Sequence, residues 1–400
     1  MIKVSNIEEI NQDSCTGCGC CAQCCPSNAI ILKKNNEGFL YPTVLNEKCI
    51  ECGICLKKCH LHTSIKVDHD MDYIFAGKFK DNNKLFESSS GGAATAIAEM
   101  VISNGGYAFG VTFDEDYKSL KYICIDDIKE LKKIKNSKYV QSIPPDYSEI
   151  LEKVQTNNKV VFFGLPCQCD ALINYFGNKP GNLLVVSLVC HGPTSELVLE
   201  KYIEELEQKG KIKTLQWRYK YKGKIRPSRV LVNYQNGRKE IKYFATSSFG
   251  YAFEILNRKS CEKCHSKYPN GLSDIIIGDF WGGSKDNKTQ DNYGESLILI
   301  RNNKYLDLKD ALNKYDFSME EAEFDKLEIK NPSIYKSRKQ HPMRGKLINE
   351  LQSKSLTDAI NSCVPYSIRI KMNIYTIFRS YIPNEIWEAL KYMRKRKNNE

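Results

Sequence analysis

Eight cysteines near the start of the chain fall into two runs with one spacing. Cys15, Cys18, Cys21 and Cys25 lie at offsets 0, 3, 6 and 10, and Cys49, Cys52, Cys55 and Cys59 repeat those offsets. A cubane [4Fe-4S] cluster needs one thiolate at each iron corner. A Cys-x2-Cys-x2-Cys loop can wrap three corners, but its fourth cysteine lies too far along the chain to return to the same cube. In paired arrangements that fourth ligand serves the other cluster. The spacing therefore predicts two clusters, one on Cys15, Cys18, Cys21 and Cys59, the other on Cys49, Cys52, Cys55 and Cys25. A disulfide framework does not suit a long chain with an odd total of 17 cysteines and no signal peptide. Structural zinc uses Cys-x2-Cys pairs and has no need of a third and fourth cysteine at a repeated spacing. Cys20 and Cys24 fall outside the shared offsets.

The repeated run is that of a bacterial ferredoxin, and residues 1–68 are expected to form such a domain. Between the two runs, Ala29–Leu32 and Gly38–Val44 read as short strands meeting at a turn, and a polar linker is expected around 62–72. His60, His62 and His69 read as solvated linker residues. From Tyr73 the pattern is that of an α/β domain, 73–308. Ser88-Ser-Ser-Gly-Gly92 leads into an alanine-rich helix. Hydroxyls there would cap free amides and the glycines would let backbone approach a phosphate, although a plain core helix fits the same pattern. Lys159–Phe163 and Leu183–Val189 are buried-type strands. Each runs through a tight loop, at Gly164-Leu-Pro-Cys167 and Cys190-His-Gly-Pro193, into a helix. Strand, loop and helix twice over predict a parallel sheet with ligands at the strand ends. Asn236-Gly237 marks a hairpin, and Asp274–Gly283 another strand ending in glycines. Residues 309–400 read as helical and polar, ending in an amphipathic stretch and the basic tail Arg394-Lys-Arg-Lys397. The fold class is thus α+β: a ferredoxin-like 2[4Fe-4S] domain, an α/β domain with a partly parallel sheet, and a helical C-terminal region.

The formal charge of +11 counts cysteines as neutral. Each four-thiolate cluster carries roughly −2, so three would remove about half the excess. The lysines are spread along the chain, which fits attraction to an acidic redox partner and excludes specific nucleic-acid recognition. With no basic-then-apolar leader and no apolar run long enough to cross a bilayer, the expected compartment is the cytoplasm.

Cys167, Cys190, Cys261 and Cys264 lie in three further segments, and Cys261-x2-Cys264 alone is half a zinc site as readily as half an iron–sulfur site. From the linker to Trp281 the sequence resembles the coenzyme F420 hydrogenase/dehydrogenase beta subunit family, which includes 7-hydroxymethyl chlorophyll a reductase. The resemblance rests on Ser90-Gly-Gly92 with Thr95, Ser137-Lys-Tyr-Val-Gln-Ser142, Gly164-Leu-Pro-Cys167, Val189-Cys-His-Gly192, Cys261-x2-Cys264 and Gly278-Asp-Phe-Trp281. It implies a third [4Fe-4S] cluster on Cys167, Cys190, Cys261 and Cys264, with Cys169 competing for the place of Cys167. It also implies FAD bound by Ser90, Gly91, Gly92, Thr95, Lys138, Tyr139, Gln141 and Ser142. Lys138 fits a phosphate or flavin contact and a structural ion pair equally well.

Clusters pass single electrons whereas hydride carriers exchange pairs, and a flavin does both. The implied activity is that of a flavin-dependent iron–sulfur oxidoreductase between a ferredoxin-like donor or acceptor and a hydride-carrying coenzyme or small molecule, coenzyme F420 or another. The alternatives are an electron-transfer subunit of a larger complex without its own substrate site, and a zinc-stabilised interaction protein. No proton donor is assigned: His191, beside Cys190, reads as a hydrogen-bond donor to a ligand.

Overall fold

Strand β6 (Val160–Gly164) is buried at every residue and lies between two parallel neighbours, β4 (Tyr107–Phe113) and β7 (Leu183–Leu188). A strand covered on both faces reads as a continuous apolar run, which is why Val-Val-Phe-Phe needs no polar alternation. These strands belong to an eight-stranded sheet in the computed structural model. The model describes residues 6–63, 65, 72–280, 293–324, 327 and 331–382. With β3 (Tyr73–Phe79), β5 (Leu120–Ile125), β11 (Ile275–Asp279), β12 (Ser296–Ile300) and β13 (Phe317–Glu321), the sheet order is β13-β3-β12-β11-β7-β6-β4-β5. The β4-β6-β7-β11 centre is parallel; β5, β12 and β13 each pair antiparallel. The helices Ala93–Ser103 and Pro166–Phe176 pack apolar faces on this sheet, as the strand–loop–helix pattern predicts.

A three-stranded antiparallel sheet, β10-β9-β8, stands beside it: β8 (Ile212–Tyr221), β9 (Lys224–Tyr234) and β10 (Lys239–Tyr243). The Asn236-Gly237 turn joins β9 to β10 as expected. β8 and β12 were not recognised in the sequence. One strand, β13, interrupts the mostly helical region beyond 309: Phe317 and Met319 bury beside β3 while Glu320 and Glu321 stay exposed. Its longer helices among the described residues are Arg344–Leu351, Leu356–Cys363 and Tyr366–Tyr381. Trp281, His69 and the basic tail lie outside the described residues, as does most of the expected linker.

Residues 6–63 hold β1 (Ile30–Lys34) and β2 (Leu40–Val44) in an antiparallel pair, flanked by the helical turns Cys20–Gln23 and Ile54–Lys57. This segment is packed into the body. Phe39 and Tyr41 share one buried core with Val198, Trp217, Phe249 and Leu347. Glu37 and Arg344 form a buried bidentate ion pair, Nη1 to Oε1 being 2.9 Å. Tyr147 Oη donates to the Cys18 carbonyl at 2.9 Å, and Arg258 Nε donates to that of Cys15 at 2.7 Å.

Candidate functional site

The C-terminal ends of β6, β7 and β11 open into a cavity of about 310 Å³, within the range of small-molecule sites. Its walls include Gly164-Leu165, Leu188–Pro193 and Gly278-Asp279 from those strand ends, the helix start at Gly92–Thr95, and residues 134–140. This is the edge at which open α/β sheets place ligands. Gly92 caps the helix with φ of +99°, and a Cβ there would sit 2.4 Å from Phe79 Cδ2, so only glycine fits. The hydroxyl capping expected of Ser88–Ser90 is not made. Ser88 Oγ donates to the Lys84 carbonyl, Ser89 Oγ accepts from Ser137 N, and Ser90 Oγ donates to the Glu295 carbonyl. The amide of Ala93 reaches Ser296 Oγ, on β12, at 3.3 Å instead. The serines are spent tying the loop to its neighbours, and no hydroxyl of its own closes the helix start.

Ser90, Gly92, Thr95, Lys138, Tyr139 and Ser142 line the cavity. Gly91 and Gln141 are not among its walls. Gly91 is pressed against β3 and β12, where a Cβ would lie 2.0 Å from the Gly77 carbonyl. Gln141 turns away, and its Oε1 accepts from Leu40 N at 3.0 Å and from Arg258 Nη1 at 3.3 Å. Lys138 makes no ion pair among the described residues. Its Nζ donates to the carbonyls of Lys135 (2.8 Å), Asn136 (3.2 Å) and Ile134 (3.4 Å), and burial pushes its ammonium down to about 7.

Two cavity residues escaped the sequence reading. Arg218 lies in an irregular stretch of β8 with φ of +63° and forms a bidentate pair with Asp279, Nη2 to Oδ1 being 2.9 Å. Burial opposes its charge, but Asp279 and Tyr139 more than offset that and raise it. Gln168 accepts from Leu165 N at 2.9 Å and from Tyr122 Oη at 2.9 Å, and donates to Ser142 Oγ, fixing the loop before Cys167. Asp279 sat within a recognised motif, but its partner lay on an unrecognised strand.

The cysteines gather in three places. Cys15, Cys18 and Cys21 line one small cavity with Cys59 and the surplus Cys20. Cys49, Cys52 and Cys55 line another with Cys25. These are the crosswise sets the spacing predicts. The third group is carried by the helix start after β6 (Cys167), the loop after β7 (Cys190) and the turn Lys259–Lys263 with its cap (Cys261, Cys264). Burial and then the charges of Cys264, Cys190, Cys261 and Cys18 push the Cys167 thiol well up, while Cys261 rises to about 12 for the same reasons. Such thiols do not ionise together unless a bound cation compensates them, and an iron–sulfur cluster supplies that charge. No three His, Cys, Asp or Glu among the described residues are arranged to hold a single metal ion.

Cys169 is fully buried in a separate apolar core, its Sγ against the Val186 carbonyl, and none of the third group's cysteines act on it. Cys20 Sγ donates to the Lys58 carbonyl at 3.4 Å and Cys24 Sγ to the Cys21 carbonyl at 3.6 Å; both are free thiols, and one helical turn apart they act on each other's ionisation, raising Cys20 and lowering Cys24. His60 is a correction: it is not a solvated linker residue. Its Nε2 meets Thr16 Oγ1 at 3.1 Å, and burial, then His265, push it down to about 4. His62 is exposed. His191 lines the cavity with Nδ1 on Ser333 Oγ at 3.0 Å and its ring stacked on Phe253.

Residues 157–325 match the family described as the C terminus of the coenzyme F420 hydrogenase/dehydrogenase beta subunit. The chain is 24% identical over 213 residues to the F-type subunit of the F420H2 dehydrogenase of Methanosarcina mazei, covering 50% of this chain and 60% of that protein. It is 26% identical over 341 residues to coenzyme F420-dependent sulfite reductase of Methanocaldococcus jannaschii, covering 79% of this chain and 49% of that protein. The chain thus spans 60% of the length of the first of these relatives and 49% of the second. A chain of the F420-reducing [NiFe] hydrogenase complex of Methanosarcina barkeri aligns at a TM-score of 0.44 and 17% identity, over 74% of this chain and 94% of that one. The similarity to the coenzyme F420 hydrogenase/dehydrogenase beta subunit family is thus carried by residues 157–325, the part that holds Cys167, Cys190, Cys261 and Cys264.

Proposed function

We propose that the chain is a flavin-dependent iron–sulfur oxidoreductase. It would move electrons between a ferredoxin-like partner and a two-electron carrier, coenzyme F420 or another hydride acceptor. The single observation that carries this reading is the order of the sites in space. The Cys18 thiol lies close enough to Cys167 to act on its ionisation, and the loop of Cys190 forms a wall of the cavity. The cysteine set on residues 25, 49, 52 and 55 stands next to the set on 15, 18, 21 and 59, with Cys24 acting on both Cys55 and Cys59. Each cysteine group thus neighbours the next, and the last neighbours the cavity, which supports a relay whose outer member carries the exposed Cys52. The ferredoxin-type reading of residues 1–68 rests on this crosswise pairing, and the domain limits 1–68, 73–308 and 309–400 on the sequence.

The cavity residues fit a dinucleotide. Gly92 lets a pyrophosphate approach the amides of the helix start, Lys138 offers a positive charge while its protons are held by backbone carbonyls, and Thr95, Tyr139 and Ser142 offer hydroxyls, Ser90 only the lone pairs of one whose proton the Glu295 carbonyl holds. FAD, when bound, would supply the exchange between single electrons and hydride. The Arg218–Asp279 pair holds the β8 side of the cavity in place, while Val111, Ile134, Phe163 and Ile277 give it apolar walls. His191 presents its second ring nitrogen from a ring fixed by Ser333 and Phe253.

Protein reconstituted anaerobically should hold about twelve irons, four for each thiolate set, and one FAD per chain. Cys264→Ser should lose about a third of the iron, and Cys169→Ser none. Eight irons and no flavin would overturn the reading. The alternative, an electron-transfer subunit without a substrate site, is favoured by the subunit designation of the Methanosarcina mazei relative. It predicts no turnover of any soluble hydride carrier by the isolated chain, and the cavity argues against it.

A further inference from the structure

Lys267 is buried on the segment that follows Cys264. Its Nζ donates to the Cys190 carbonyl at 2.8 Å and to the carbonyl of Ser333, which sits in the turn Pro332–Ile334. Among the described residues it has no carboxylate partner. A neutral donor could tie two carbonyls together. A whole charge buried without a counter-ion is costly, so an ammonium in this place points to an anion within reach. The third cysteine group supplies one when it holds a cluster, since four thiolates around [4Fe-4S] leave roughly −2.

The electrostatics of the loops agree. Burial raises the thiols of Cys190, Cys261 and Cys264, and the charge of Lys267 pulls all three the other way. Arg258 acts in the same sense on Cys261, while Asp170 opposes it at Cys264. Gly192 N also donates to Cys190 Sγ at 3.3 Å. The neighbouring group on residues 15, 18, 21 and 59 is differently placed. Arg258 Nε reaches the Cys15 carbonyl there, but after burial the charges that bear on Cys18, Cys21 and Cys59 are those of other cysteines. We propose that Lys267 is the counter-charge of a cluster on Cys167, Cys190, Cys261 and Cys264, and that it raises the reduction potential of that site above that of the neighbouring group. Taking up one electron adds one negative charge to a cluster, and a buried cation beside it favours the reduced form. An electron leaving the neighbouring group would then rest beside the cavity. The inference rests on the iron–sulfur reading of these four cysteines and deepens it: Lys267 acts through its charge, in addition to holding the Cys190 loop.

The test is an anaerobic redox titration of the reconstituted full chain with dithionite and mediator dyes, followed by electron paramagnetic resonance of the reduced clusters. Cys264→Ser and Cys18→Ser identify the signals of the two sites. In the native chain the third site should be reduced before the neighbouring one as the potential is lowered. Lys267→Met should keep about twelve irons. Its third site should lose at least about tenfold in the electron-exchange equilibrium, about 59 mV for a one-electron couple, with the other midpoints in place. Lys267→Arg keeps the charge and should hold most of the native value. An unchanged midpoint in Lys267→Met overturns the proposal, and so does an equal fall in Lys267→Arg. A native third site reduced only after its neighbour overturns it as well, an outcome that needs no variant to retain its iron. Eight irons in the native chain would remove the iron–sulfur reading and this inference together, whereas twelve irons with the reverse order of midpoints would remove this inference alone.

Discussion

Arg258 is the residue whose loss should most clearly separate residues 6–63 from the body. Its side chain is 2% exposed, its Nε donates to the Cys15 carbonyl at 2.7 Å, and its guanidinium stands 4.0 Å from the centroid of Tyr41. Its Nη1 meets Gln141 Oε1, which also accepts from Leu40 N. A charge-assisted hydrogen bond contributes about 2 kcal/mol and a desolvated cation–π contact about 2 kcal/mol more. Arg258→Met keeps most of the volume and removes both, about 4 kcal/mol, which is about a thousandfold in the equilibrium for undocking. Arg258→Lys retains a cation over Tyr41 but cannot hold both oxygens, and should cost about tenfold. Hydrogen exchange of reconstituted protein is the assay, because the Leu40 amide reports the junction directly. In Arg258→Met its protection should fall with that of β1 and β2, while β6 and β7 stay protected. Unchanged protection at Leu40 in a folded Arg258→Met variant would refute the reasoning, leaving the apolar contacts of Phe39 and Tyr41 to hold the junction alone.

The Glu37–Arg344 pair is buried on both sides, so Arg344→Met should cost about 3–5 kcal/mol by stranding a carboxylate, and Glu37→Gln with Arg344→Met together should recover most of it; urea midpoints decide. Lys138, lowered to about 7 by burial, carries its proton below that pH and loses it above. FAD affinity, followed by fluorescence quenching, should therefore weaken between pH 6 and pH 8 in the native protein and stay level in Lys138→Met. The same shift means that the folded state binds fewer protons than the unfolded one from about pH 7 up to the ordinary lysine range. Its contribution to stability thus rises with pH across that window, and Lys138→Met should flatten that rise in thermal melts.

The parallel centre of the sheet and both hairpin turns were legible because they rest on short-range signals. A strand buried on both faces must be apolar throughout, and Asn-Gly adopts the turn that closes a hairpin. β8, β12 and β13 were harder to see. Lys213, Lys220, Glu320 and Glu321 interrupt the apolar runs of β8 and β13, while β12, Ser296–Ile300, is a five-residue apolar run too short to tell from buried helix by its pattern; the partners that justify the buried charge come from a distant part of the chain. Lys220 Nζ, for example, is buried on the carbonyls of Leu85 and Ser90. The helix start at Gly92 was found, but its capping was misread, since Ser296 lies some 200 residues away and sequence spacing cannot show it.

For the site itself, the chain alone determined the two cysteine runs and the spacing they share, and from that spacing which cysteines would gather, since the shape of a cubane dictates how far apart along a loop its ligands must fall. Which of Cys167 and Cys169 joins Cys190, Cys261 and Cys264 was beyond it. Two residues of helix separate those thiols by more than half a turn, so one faces the loops at the strand ends and the other the core. Only the folded molecule decides which. It also decides that Gln141 and Arg258 bind the N-terminal segment to the body, and that Arg218 meets Asp279 at the wall of the cavity. Those facts depend on what packs opposite each side chain, and a sequence records neighbours along the chain, not across it.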